Sequence, residues 1–292
     1  MPAVNSHILL SAIVVTCNSA ENITASLTAL VPEVESVGGE VIIYDNGSHD
    51  TTVNGIKGAF PKVRIIESAR NLGFGAAVNE AAAAAQGKYL LFANPDMIID
   101  RGSIKILLAA LRNSPSAGAV VARMRHPDDH FQPTCRQLPT PRNIFFSRGS
   151  ILTAGEETAS MNRHYTLGDF DKISPVPAAS ATCMLLEREF FLHLGGFDRR
   201  FFLFMEDTDL CLRIGQSGRK VYFVPRAGAV HDWGKGAGIS SWRRNCYQHI
   251  SVWKYFLKQY PNGFSLLLLP LLLLVNFLLK SIGGFRRSRK AW

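Results

Sequence analysis

Apolar positions along this chain follow two periods in turn. Ile8–Cys17 is an almost unbroken, β-branched apolar run, as expected of a strand covered on both faces. Glu21–Val37 then carries Ile23, Leu27, Leu30, Val31 and Val34 at helical spacing. Glu40–Tyr44 predicts a second strand, stopping in the turn-rich Asp45-Asn46-Gly47-Ser48, and Val63–Glu67 a third. Alanine-rich Ala76–Ala85 predicts a helix, and Lys88–Ala93 a fourth strand halted by Asn94-Pro95-Asp96. Ser103–Arg112 predicts another helix and Ala117–Arg125 another strand. This alternation predicts an α/β fold, a mostly parallel sheet with helices on both faces.

The pattern loosens over His126–Pro177, where six prolines predict loops and short elements. It returns with a strand at Ala178–Leu186, a short helix at Arg188–Leu194, an amphipathic helix at Thr208–Ser217 and a final strand at Lys220–Val224. Beyond these, Trp242, Cys246, Ile250, Trp253, Leu257 and Tyr260 form one apolar stripe at spacings of three and four. Phe264–Leu279 is nearly all leucine, interrupted by Pro270 and Asn276. The organisation expected is a catalytic domain over residues 1–238 and a C-terminal tail over 239–292.

Charge sharpens that division. Of 32 basic residues, ten lie in Trp233–Trp292, which has no Asp or Glu; the other 22 share Met1–Asp232 with all 23 acidic residues. The net charge of +9 therefore belongs to the tail. The leucine run spans 16 residues, about 24 Å as a helix, against a bilayer core of roughly 30 Å. With Pro270 inside it and basic residues on both sides, it predicts an in-plane or re-entrant membrane element at the cytoplasmic face. A buried C-terminal helix or a homodimer interface is the alternative. Nucleic acid is not expected as a partner, because the basic groups bracket leucines rather than interleaving with stacking aromatics. Five scattered cysteines, with no C-x-x-C, predict reduced thiols rather than a disulfide or zinc framework. The first residues lack a basic region and a cleavage site, so Ile8–Val15 is expected to be the first strand and not a signal peptide.

In an open α/β sheet, ligands bind beyond the carboxyl ends of the strands. Polar clusters occupy three such ends: Thr16-Cys17-Asn18, Asp45-Asn46-Gly47-Ser48 and Asn94-Pro95-Asp96. No G-x-G-x-x-G follows the first strand and no P-loop is present, which excludes the common dinucleotide and NTPase sites. Later comes Glu206-Asp207, two carboxylates at a helix start after the aromatic run Phe201, Phe202, Phe204. Such a pair serves either as a helix cap or as a general base.

An ordered series of segments resembles the family 2 glycosyltransferases, particularly the bacterial rhamnosyltransferase-like branch. It comprises Val14–Asn18, Asp45–Asp50, Asn71-Leu72-Gly73-Phe74-Gly75 with Asn79, Asn94-Pro95-Asp96, Gly195-Gly196-Phe197-Asp198, Phe202, Glu206–Cys211 and His231. The resemblance implies a GT-A type fold and an inverting, metal-dependent transfer of a sugar from a nucleotide diphosphate donor. Thr16, Asn18, Asp45, Asn46, Asn71, Asn94, Asp96 and Lys235 match donor-side positions, Asp45 facing the pyrimidine base. Asp96 and His231 would hold Mg²⁺ or Mn²⁺; Asn94 stands where the family's first metal carboxylate usually stands. Asp207 matches the base, with Glu206 the runner-up, and Asp198, Gly196 and Phe202 match the acceptor side. Arg136-Gln137-Leu138-Pro139-Thr140-Pro141 resembles a segment of the rhamnosyltransferase-like members and points to dTDP-L-rhamnose. Relatives also use galactofuranose and hexose donors. The acceptor expected is a glycan or lipid-linked sugar. The rivals are a nucleotidyltransferase, which should show a basic glycine-rich loop after the first strand, and a non-catalytic membrane scaffold.

Overall fold

A computed structural model describes residues 8–140, 171–232, 239–263 and 269–278. Its main sheet places strands in the order β3 (Arg64–Glu67), β2 (Glu40–Asp45), β1 (Leu10–Thr16), β4 (Tyr89–Ala93), β11 (Cys183–Glu187), β6 (Ala117–Arg125), β12 (Lys220–His231) and β5 (Met97–Ile99). Strands β3, β2, β1 and β4 are parallel, as are β6 and β12. Strand β11 runs against both β4 and β6, and β5 against β12, so the sheet is mixed although mostly parallel in its first half.

Alternation along β1 shows why its sequence is apolar apart from Ser11 and Thr16. Leu10, Ala12 and Val14 join the core beneath α1 (Ile23–Glu35) and α4 (Ser103–Arg112), whereas Ile13 and Val15 join the core beneath α3 (Phe74–Ala84). A strand buried on both faces has no polar side to show.

Three expectations change. The strand expected over Ala178–Leu186 divides: β10 (Ala178–Ala179) pairs with β8 (Cys135–Arg136) in a separate ribbon, and β11 starts only at Cys183. Ser180 and Thr182 join their hydroxyls at the break, while Ser180 N–H donates to Thr134 O. Strand β12 continues seven residues beyond Val224, through a register shift that contains Pro225, the residue that made the strand look finished. Helix α2 (Thr52–Ala59) was not anticipated, because Gly55 and Gly58 depress its propensity; Asp50 Oδ1 accepts the Thr52 N–H at its start and Ile56 is buried.

The C-terminal helix Ser241–Gln259 starts at Ser240, whose Oγ accepts the Arg243 N–H. It docks on the body through Val252, Tyr255 and Phe256, which form a third core with Phe201 and Leu269. The predicted stripe is divided: Trp253 and Tyr260 pack against this core, whereas Trp242, Ile250 and Leu257 are 60%, 48% and 44% exposed. The helix thus has a docked apolar face and an outer one. The helical stretch 269–278 lies along it, with Phe277 edge-on to Trp242 and Asn276 Nδ2 bonded to His249 Nε2. Among the described residues no helix is long and apolar enough to cross a membrane.

Candidate active site

Strands β1 and β2 end in register, Thr16 opposite Asp45, and β4 ends beside them at Ala93. An open cavity lies beyond these ends. Thr16, Asn46, Asn71, Asn94, Asp96 and His231 line it, together with Cys17, Gly73, Phe202, Leu203, Phe204, Ile239 and Arg244. Six of the residues singled out from sequence therefore share one cleft with Phe202. Asn18, Asp45, Gly196, Asp198, Glu206 and Asp207 are not among its lining residues. Lys235 lies outside the described residues.

The donor-side residues form one hydrogen-bonded frame. Asp45 is buried; its Oδ1 accepts from Thr16 Oγ1 at 2.9 Å and Ser48 Oγ at 2.6 Å, and its Oδ2 from Ser48 N–H at 2.9 Å. Asn18, in the left-handed region at φ 51°, accepts from His49 N–H through Oδ1 and donates its own N–H to Ser48 Oγ. Asn46 donates to Asn71 Oδ1 and Gly73 O and accepts from Leu72 N–H. These amides tie the end of β2 to the Asn71-Leu72-Gly73 turn.

That turn explains its glycine. Gly73 has φ +85°, and a Cβ there would come within 2.2 Å of Phe202 O. The close approach admits the Phe74 N–H, which donates to Phe202 O at 3.0 Å. Gly196 is similar: at φ +67°, its Cβ would meet Asn79 Oδ1 at 2.4 Å. Asn79 clasps the backbone of Phe197, donating to its O and accepting from its N–H, both at 2.8 Å.

Asp96 and His231 meet across β5 and β12. His231 Nδ1 lies 2.8 Å from Gln132 Oε1, an acceptor, so Nδ1 carries the proton. His231 Nε2 then lies 3.4 Å from Asn94 Nδ2 and 3.2 Å from Asp96 Oδ1. That oxygen is buried without a hydrogen-bond donor. A buried carboxylate oxygen with no donor, beside an imidazole nitrogen at the edge of the cavity, fits a cation held against them. Among the described residues no group of three or more His, Cys, Asp or Glu side chains comes together to hold a metal. The protein would thus contribute two ligands, leaving other positions to oxygens of ligand or water.

The motif helix Glu206–Gln216 begins at Glu206, two residues ahead of expectation. Glu206 is only 6% exposed, and its Oε2 has no partner. Burial, and secondarily the charge of Asp207, push its carboxyl up to about 8. Asp207 has the opposite surroundings. Its Oδ1 accepts from Arg136 Nη2 at 2.5 Å, Thr208 N–H at 2.6 Å and Thr208 Oγ1 at 3.1 Å; Oδ2 takes none of these bonds. Burial thus favours the protonated form of Glu206.

Asp198 accepts from Lys258 Nζ, Arg200 N–H and Arg200 Nε. Burial raises its carboxyl, but these bonds and charges outweigh it and hold the group below the ordinary carboxylate range.

Four contributors escaped sequence reasoning. Gln132, Arg244 and Lys258 sit in segments without a motif, and Arg136 was noted only as part of a resembling segment. A signal existed for Lys258, a basic position beside an apolar helical stripe, but it suggested a lipid headgroup. Cys17 borders the cavity with its thiol pushed up by burial, and Asn71 Nδ2 lies 3.3 Å from its Sγ.

Comparison with known proteins adds the following. Residues 11–195 match the family described as Glycosyl transferase family 2. The N-acetylglucosaminyl-diphospho-decaprenol L-rhamnosyltransferase of Mycobacterium tuberculosis is 33% identical over 206 residues, 65% of this chain and 66% of that protein. The rhamnosyltransferase WbbL of Escherichia coli is 24% identical over 155 residues, 53% of this chain and 56% of that protein. The matches thus span just under two thirds of the first relative and less of the second. Among solved structures, the mannosyltransferase PcManGT from Pyrobaculum calidifontis, in complex with GDP-Man and Mn²⁺, superposes with a TM-score of 0.60 at 17% identity. That match covers 99% of this chain and 77% of the other. GalNAc-T7, with UDP, GalNAc and Mn²⁺, gives 0.61 at 16% identity over 85% and 48% of the two chains. At these identities the likeness concerns the fold, a GT-A-like one.

Proposed function

The chain belongs to glycosyl transferase family 2, and from that premise we propose that it moves L-rhamnose from dTDP-L-rhamnose onto a hydroxyl of a lipid-linked glycan, with inversion at the anomeric carbon. The observation that carries this reading is the shared cleft of Thr16, Asn46, Asn71, Asn94, Asp96 and His231 at the carboxyl edge of the sheet. The donor class is supported by the rhamnosyltransferase names of the relatives.

The nucleoside would lie at the ends of β1 and β2. Asp45 Oδ2 accepts one hydrogen bond from its own turn, which leaves capacity for a thymine N–H. Asp96 and His231 would hold a divalent cation, whose chemistry is to neutralise the diphosphate as it departs. Gln132 keeps His231 in the tautomer that presents Nε2.

Asp207 is the proton acceptor in this reading. Burial favours the protonated form of Glu206, which makes it the member of the pair less free to take a proton. Asp207 Oδ1 is saturated by three donors, which fixes the carboxylate plane and leaves Oδ2 to accept the proton of the attacking hydroxyl. In the displacement the acceptor oxygen forms its bond to the anomeric carbon as the bond to the diphosphate oxygen breaks. The proton passes to Asp207 and the electron pair leaves with the nucleotide diphosphate.

We place the enzyme at the cytoplasmic face of a membrane through the outer apolar face of its C-terminal helices. The test of the function is a transfer assay with dTDP-L-rhamnose, UDP-galactofuranose and UDP-glucose against an N-acetylglucosaminyl diphosphate polyprenol, with Mn²⁺ or chelator. Transfer from dTDP-L-rhamnose, lost with chelator, is expected. Transfer only from a UDP-sugar would overturn the donor, and no transfer from any would overturn the acceptor class.

A further inference from the structure

The segment Asp198–Asp209 joins the Gly195-Gly196-Phe197 turn to the motif helix. It carries Phe202, Leu203 and Phe204, which line the cleft, and then Glu206 and Asp207. Two consecutive residues in it, Phe204 and Met205, have φ of 67° and 68°, a conformation that side-chain-bearing residues adopt only when their surroundings impose it. The surroundings here come largely from the C-terminal helix Ser241–Gln259.

Lys258 sits between the two ends of the segment. Its Nζ donates to Asp198 Oδ2 at 2.8 Å and to Asp209 Oδ1 at 2.6 Å. Asp209 is fully buried and also accepts from Arg213 Nε and Gln259 Nε2. A buried carboxylate with these partners is a fixed point, since losing one partner would leave charge uncompensated in a dry site. Between the anchors the same helix grips the segment again. Lys254 Nζ donates to Arg200 O and Ser251 Oγ to Leu203 O, both at 2.8 Å. Tyr247 stacks on Phe202 with ring centroids 4.6 Å apart. On the opposite side the Phe74 N–H holds Phe202 O.

We propose that Lys258 is a positioning residue for the acceptor half of the site. By tying Asp198 to Asp209 it sets the wall made by Phe202, Leu203 and Phe204, and the bearing of Asp207 at the start of the motif helix. The helix that looks from sequence like a membrane tail is thus part of the transfer machinery, and Asp198 acts through Lys258 rather than on the acceptor. The donor frame at Thr16, Asn46 and Asn71 is held by its own hydrogen bonds and receives none from Lys258, so the acceptor side should respond more strongly to the loss of Lys258. This inference rests on the glycosyltransferase reading above.

The test uses the full chain with Lys258→Met, Lys258→Arg, Asp198→Asn and Ser251→Ala. Calorimetry with dTDP and Mn²⁺ reads the donor side, initial rates against the N-acetylglucosaminyl diphosphate polyprenol read the acceptor side, and hydrogen exchange reads residues 198–209. Lys258→Met should leave dTDP affinity within about twofold and lower kcat/KM for the acceptor about tenfold or more, because small misplacements near a reacting centre cost up to ~10²-fold. Exchange over 198–209 should quicken. Lys258→Arg should recover most of the loss, and Ser251→Ala, which removes no charge, should move acceptor kinetics the same way by less.

Unchanged acceptor kinetics in Lys258→Met would overturn the proposal. So would an equal loss of dTDP binding, or a larger acceptor defect in Asp198→Asn than in Lys258→Met, which would make Asp198 a direct ligand. The exchange measurement needs neither donor nor acceptor. Unchanged exchange in Lys258→Met therefore overturns the clamp even if the sugar proves to be a different one.

Discussion

Arg136 Nη2 bridges Asp207 Oδ1 at 2.5 Å and Thr208 Oγ1 at 2.7 Å, so a residue of the small β8–β10 ribbon grips the first turn of the motif helix. The pair is mostly shielded from solvent, with side-chain exposures of 21% and 13%. Arg136→Gln should lower kcat about 10²-fold, the scale of losing a well-placed proton acceptor, with dTDP affinity unchanged. Arg136→Lys should recover only part, since lysine restores the charge but not the planar fork. Steady-state rates with calorimetry on the same preparations decide it. Parallel loss of rate and nucleotide binding would assign Arg136 to the fold alone.

Glu206 gives a pH signature. Its carboxyl sits at about 8 in the folded chain against an ordinary value of 4.5, chiefly through burial. Between those values the folded chain binds a proton that the unfolded chain releases. Stability therefore falls as pH rises through this window and levels off above it. Glu206→Gln cannot ionise and should remove that slope. Its melting temperature should be close to the parent's near about pH 5 and higher near about pH 9, by an amount reflecting a few kcal/mol at most. Thermal shift across that range is the measurement, and parallel curves for the two proteins would show that Glu206 is not held neutral.

Much of this was legible from the chain. The strand ends Thr16, Asp45 and Asn94-Pro95-Asp96 were visible because an apolar run covered on both faces must stop where polar turn chemistry begins. The direction of β11 was not, because a strand's sequence records its burial and not which way its neighbours run. Lys258 was misjudged for a related reason. A lysine beside an apolar stripe looks the same whether its ammonium meets a lipid headgroup or two carboxylates some 50 or 60 residues earlier. The roles of Asn46, Asn71 and Gly73 were half visible. The motif marked them, but only the structure shows that the amides staple two turns together and that Gly73 makes room for Phe202 O.

Gln132 was invisible in sequence, yet it fixes the proton on His231 Nδ1. Replacing it by leucine keeps the size and removes the acceptor. Gln132→Leu should weaken Mn²⁺ binding about 10- to 100-fold, the usual effect of losing a ligand's outer partner. The quantity to follow is free Mn²⁺ by electron paramagnetic resonance, with dTDP present. Affinity equal to the parent's would mean that His231 is not a ligand, and Asp96→Asn, measured alongside, would then show whether Asp96 is one.

The outer face of the C-terminal helices carries the last prediction. Trp242, Ile250 and Leu257 are exposed on the helix Ser241–Gln259, and Leu271, Leu274 and Leu278 are exposed on the stretch 269–278 that runs beside it. Arg243 lies next to Trp242, so aromatic, leucine and basic groups share the surface in the proportions that suit an anionic bilayer interface. The docked face, with Tyr255 and Phe256, is already buried. Changes confined to the outer face should therefore separate membrane binding from catalysis. Trp242→Ala combined with Leu274→Ser should reduce co-sedimentation with vesicles of about 30% phosphatidylglycerol several-fold. The melting temperature should stay within about 2 °C, as for surface substitutions generally. Transfer to a short-chain, water-soluble acceptor should persist while transfer to a long-chain acceptor in vesicles falls. Undiminished sedimentation would mean that a different surface meets the bilayer, and a sharp drop in oligomer size in its place would identify this face as a contact between two copies of the chain.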